Sequence, residues 1–127
     1  MATAARDPKN FYTDTLVNYL VSMARTVEGA VNRAIMALLD RQGPRAGTLV
    51  SEIFYNEPRI NEMEIVIDEQ AVKLLRGGAL PEKDIRLIVA TLRINNDLER
   101  MGDLAVNIGQ RVISLAEMEP TKTPPEF

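Results

Sequence analysis

Two pairs of carboxylates carry the chemistry this sequence could do. In Leu92-Arg-Ile-Asn-Asn-Asp-Leu-Glu-Arg-Met-Gly-Asp103, Glu99 and Asp103 stand four apart, and in Arg59-Ile-Asn-Glu-Met-Glu-Ile-Val-Ile-Asp68, Glu64 and Asp68 do the same. On a helix that spacing stacks both side chains on one flank. Glu64 and Asp68 border Ile60, Met63 and Ile67, with Glu57 and Asn61 on the same flank. Glu99 and Asp103 share a face with Ile85, Leu92, Val106 and Ile113. Carboxylates set against apolar surface are costly unless something neutralises them, and four brought together repel. A multivalent cation, an arginine or open water would relieve that cost. Oxygen ligands suit Mg, Ca, Mn or Fe better than soft metals. The plainer reading is two solvated helix flanks, since acidic residues four apart are common.

Composition narrows the chemistry further. The 127 residues contain no Cys and no His. That removes disulfides, thiolate and imidazole ligands, thiol nucleophiles and the commonest general base. Ferritin-like di-iron sites need Glu-x-x-His and are disfavoured, as is Ser or Cys hydrolysis. A net charge of -3 argues against non-specific nucleic-acid binding. Arg86, Arg93, Arg100 and Arg111 form a basic stripe, either solvated or docking an acidic surface. The aromatics do not interleave with it, so no base-stacking platform is suggested. No apolar run reaches membrane-spanning length, and the first residues lack the apolar core of a secretory signal. The chain is compatible with a reducing cytoplasm.

Three long helices must position these groups. The first is expected over about 14–39, with Leu16, Leu20, Met23, Val27, Ala30, Ala34 and Leu38 facing the core. Gly43-Pro44 ends it. The second spans about 48–76, with Ile53, Ile60, Met63, Ile67, Ala71 and Leu74 inward. Pro58 predicts a kink or a break there, and Gly77-Gly78 a left-handed cap. Pro81 opens the third, which runs to about 117, with Glu82 and Asp84 in its first turn. Its core rows are Leu87, Ile94, Met101, Ile108 and Leu115, with Leu98, Ala105 and Val112 alongside. Short loops force antiparallel neighbours, so the fold class is all-α, an up-down-up three-helix bundle. One domain over 11–117 is expected, with an N-terminal tail at 1–10 and a Pro-rich tail or linker at 118–127.

The apolar surface exceeds one bundle's need. The third helix has a second face with Ile85, Ile88, Leu92, Val106 and Ile113; the first has Val17, Val21, Ile35 and Leu39. Either the stripes are wide, or another helical layer covers them. A homodimer is expected, with Ile85, Leu92, Val106 or Ile113, or Val17 and Val21, at the contact.

Asn96-Asp-Leu-Glu-Arg-Met-Gly-Asp-Leu-Ala-Val-Asn-Ile108, with Arg59 to Asp68 in the preceding helix, resembles the signature of PhoU-domain proteins. Val27-Glu-Gly-Ala-Val and Ala34-Ile-Met-Ala-Leu in the first helix are similar too. The resemblance covers roughly residues 11–117. It implies an all-α, non-catalytic, cytoplasmic regulator of phosphate uptake and of phosphate-starvation signalling. Its implied partners are the ATPase subunit of a phosphate ABC transporter and a sensor histidine kinase. It also implies a multinuclear iron or zinc cluster on the acidic motifs, here Glu64, Asp68, Glu99 and Asp103, with Asn61, Asn96 and Asn107 around them. A metal-dependent carboxylate enzyme and a metal-free helical adaptor are the competing readings. The usual family member has two such repeats in tandem, whereas this sequence holds one. It is therefore expected to be a fragment or to pair with itself.

Overall fold

A computed structural model describes residues 8–118 as three helices. They are α1 (Pro8–Leu39), α2 (Ala46–Arg76) and α3 (Glu82–Met118), and each packs on the other two. The short connections make α2 antiparallel to both neighbours, so α1 and α3 run parallel. The remaining residues, 1–7 and 119–127, hold most of the expected tail and Pro-rich segment and lie outside the described residues. Among the described residues no helix is long and apolar enough to cross a membrane.

The core follows from helical periodicity on α1 and α2. Leu16, Leu20, Met23, Val27, Ala30 and Ala34 are buried on α1, with Ala37 completing the stripe in place of the expected Leu38. Ile53, Ile60 and Ile67, seven apart, are buried on α2 together with Ala71, while Met63 and Leu74 pack at its edge. A smaller cluster of Ala37, Ala46, Leu49, Val50 and Val112 fills the end of the bundle near the first loop, with Phe54 and Ile108 against it. Helix α1 begins six residues earlier than the apolar pattern suggested. Helix α2 continues through the exposed Pro58, and its stripe keeps phase on both sides. Gly78 takes the left-handed φ of 71° expected after α2, and Ala79 follows it at 56°.

Helix α3 departs from expectation. The row read as core is largely outside: Leu87, Ile94 and Met101 are exposed, while Ile108 and Leu115 are half-buried. The buried row lies one residue on, at Ile88, Asn95, Gly102 and Gly109, beside Thr91, Leu98, Ala105 and Val112. One residue is about 100° of rotation. Close approach explains the choice. A Cβ on Gly102 would stand 3.3 Å from Ile60 Cγ2, and one on Gly109 would stand 3.3 Å from the Phe54 ring. Bulky side chains in that row would hold α2 away, so the small residues face inward and the large ones face out. Ile88 and Val106, read as a second face, are buried.

Candidate functional site

The α2–α3 flank carries the acidic residues. Glu64 from α2 and Glu99 from α3 are half-buried; Asp68 and Asp103 are exposed. Asn95 is buried and its Nδ2 donates to the Glu64 backbone carbonyl at 3.0 Å. It lies one turn before Glu99, so this bond fixes the height of one acidic pair against the other.

The electrostatics show the two pairs facing each other. Partial burial raises the Glu64 carboxyl above its ordinary value, and repulsion from Asp68 and then from Asp103 on the opposite helix adds to the rise. Glu99 is also raised, first by partial burial, then by a hydrogen bond in which its protonated carboxyl donates to Asp103. Repulsion from Asp103 and Glu64 adds to this, and the Arg100 cation partly offsets it. The structure thus brings Glu64, Glu99 and Asp103 into mutual electrostatic reach, with Asp68 attached through Glu64.

The donor set is all oxygen, hard and anionic, which suits a hard cation in type. Its geometry is open: among the described residues no group of three or more carboxylates is arranged to hold a metal ion. The surrounding Asn61, Asn96 and Asn107 are exposed. Sequence reading missed Asn95, although its position seven residues after Ile88 and seven before Gly102 marks it as inward once the core row is known. Its Oδ1 is buried without a hydrogen-bond partner. The grooves between α1 and α2, one lined by Tyr12, Thr15, Tyr19, Gln70 and Lys73, are on a different side of the bundle.

Residues 20–112 match the PhoU domain family, a span that includes all four acidic residues and Asn95. The chain belongs to the PhoU domain family. It is 35% identical over 100 residues to the phosphate-specific transport system accessory protein PhoU homolog of Pseudomonas aeruginosa, covering 79% of this chain and 40% of that protein. The homolog of the same name from Aquifex aeolicus is 33% identical over 103 residues, covering 81% of this chain and 45% of that protein. The one from Xylella fastidiosa is 34% identical over 109 residues, covering 86% and 45%. This PhoU domain therefore spans less than half the length of the curated relatives it matches. No solved structure matches.

Proposed function

We propose that this PhoU domain is a non-catalytic, cytoplasmic regulator of phosphate uptake and phosphate-starvation signalling. In this reading it acts with the ATPase subunit of a phosphate ABC transporter and with a sensor histidine kinase. The observation that carries the reading is the family match over residues 20–112, reinforced by relatives named as accessory proteins of a phosphate-specific transport system. A sequence without Cys or His lacks the commonest nucleophile and base partners, which favours a regulator over an enzyme.

Glu64, Asp68, Glu99 and Asp103 are the residues that would hold a cation, iron or zinc by family resemblance. A bound cation would neutralise the repulsion that raises Glu64 and Glu99. Partly exposed carboxylates can turn toward a common ion at small cost, which is how an open flank would become a ligand set.

The regulatory reading is tested in a bacterium whose own accessory-protein gene has been deleted and whose starvation response is then constitutive. Expression of this chain should restore repression in high phosphate, and the chain should co-purify with the transporter ATPase. A folded, well-expressed chain that does neither would overturn the reading.

A further inference from the structure

Asn95 ties α2 to α3 from inside the core. It is 2% exposed and stands in the inward row of α3, between Ile88 and Gly102. An apolar side chain of its size is the ordinary occupant of such a position. The amide is a poor choice for stability alone. Its Nδ2 donates to the Glu64 carbonyl at 3.0 Å, in the interior of α2. Its Oδ1 is buried with no partner. A buried acceptor left unmet costs at least as much as one neutral hydrogen bond contributes. What the amide supplies is position, the best-attested use of a lone asparagine between packed helices.

The rest of the α2–α3 contact is apolar, with Ile60 against Gly102 and Val50 and Phe54 against Gly109. Apolar contact is non-directional, so it holds the helices together more firmly than it fixes their relative height. A hydrogen bond is lost over a few tenths of an ångström, and it therefore selects one height among close neighbours.

The two backbones joined by this bond are those that carry the acidic residues. The accepting carbonyl is Glu64's own, with no residue between the contact and that carboxylate. On α3, Asn95 stands one turn before Glu99 and two before Asp103. Carboxylates that share an ion must bring their oxygens within about 2.0–2.6 Å of one point. A slip of one residue along α3 moves its pair by about 1.5 Å, a large fraction of that reach. Repulsion between Glu64 and Asp103 across the flank favours such a slip in the metal-free chain. Among the described residues no three acidic groups are arranged to hold an ion. Closing on one thus takes side-chain rotation, which succeeds only from backbones held at the right height.

We propose that Asn95 is the positioning residue of the acidic flank, its amide holding α2 and α3 at the height from which Glu64, Asp68, Glu99 and Asp103 close on one cation. The role rests on the cation reading of that flank. Asn95 does not touch the ion; it acts through Glu64 and through the turn that leads to Glu99.

Two substitutions test this. Asn95→Leu keeps the volume and removes the donor. Asn95→Thr turns its hydroxyl back to its own helix, as buried Thr91 does to the Leu87 carbonyl at 2.9 Å. Calorimetric titration of the metal-free chains with Mn²⁺, Zn²⁺ and Fe²⁺ singly gives each dissociation constant, and thermal melts give the metal-free Tm. Both variants should melt near wild type without metal and bind the wild type's preferred cation about tenfold or more weakly. Equal affinity in wild type and variants would overturn the role of Asn95 and leave the cation reading standing. A wild type that takes up none of the three ions would overturn the cation reading and the role with it. Loss of fold in both variants, or melts lowered equally with and without metal at unchanged affinity, would make Asn95 a structural residue only.

A second readout needs no metal. The sequence has no Cys, so Glu62→Cys with Arg93→Cys places two unique nitroxide labels at exposed positions of α2 and α3. Pulsed dipolar spectroscopy of the metal-free chain should give one narrow distance with Asn95 present and a shifted or broadened one with Asn95→Leu. An unchanged distribution would overturn the proposal.

Discussion

Asn95 of α3 donates its side-chain amide to the Glu64 backbone carbonyl of α2 at 3.0 Å, across 31 residues of sequence. It is a buried polar contact between two otherwise apolar helix faces, directly beneath the opposed acidic pairs. The same side chain leaves its Oδ1 unsatisfied, so it does not contribute full hydrogen-bonding stability. Its effect is to favour one height of α3 against α2.

That imbalance fixes the outcome of substitution. Asn95→Leu removes an orphaned acceptor and a donor whose target carbonyl already lies within a helix, so stability should stay within about 1 kcal/mol of wild type. Asn95→Asp places a carboxylate against the Glu64 carbonyl in a buried site and should lose about 3 kcal/mol at neutral pH. Urea unfolding of the two variants measures both. Equal losses would show that the site tolerates no change of shape and that polarity is not the issue.

Protonation of the acidic flank gives a second test. Glu64 and Glu99 are raised above 4.5 in the folded state, so the folded chain holds more protons than the unfolded one just above that pH. Their contribution is therefore favourable below the unfolded value and is lost as pH rises through the folded value. Without added cations, the double variant Glu64→Gln and Glu99→Gln should melt above wild type at pH 7. The gap should close as the pH falls below 4.5. A variant that melts lower at pH 7 would assign these carboxylates a pairing role.

The two inward glycines of α3 should answer differently to alanine. A Cβ on Gly102 meets the Cγ2 and Cδ1 of Ile60 at 3.3 and 3.5 Å; Ile60 is buried and β-branched, so it yields poorly. At Gly109 the nearest atom belongs to the half-buried Phe54 ring, which can swing outward. Alanine relieves a helical glycine of up to about 1 kcal/mol. Gly109→Ala should thus be neutral or stabilising, and Gly102→Ala should lose about 1 kcal/mol. Thermal melts that rank them the other way would contradict the packing described for α2 on α3.

Much of this fold is legible in the order of residues. On α1 and α2, large apolar side chains recur in register with the helix, and burial follows size. The acidic pairs are legible for the same reason, since four-residue spacing fixes their flank. Helix α3 is misread because its packing relies on smallness. Gly102, Ala105 and Gly109 admit α2 closely, and Asn95 and Thr91 are tolerated among them. A search for large apolar residues settles one position away, on Leu87, Ile94 and Met101. Asn95 is hidden by the same error, because a polar residue inside the core row looks like an ordinary surface position until the row is shifted.

The acidic flank as a cation site is the central claim, and the metal-free chain titrated with single cations tests it most directly. Differential scanning fluorimetry with Mn²⁺, Zn²⁺ and Fe²⁺, the last under anaerobic conditions, reads binding as a rise in Tm that saturates. A site filled to a hundred times its dissociation constant adds about 2.7 kcal/mol. At least one cation should raise Tm, and Asp68→Asn with Asp103→Asn should abolish the rise while leaving the bundle folded. No rise with any cation, or a rise that survives both substitutions, would contradict it and leave Glu64, Asp68, Glu99 and Asp103 as a solvated acidic surface.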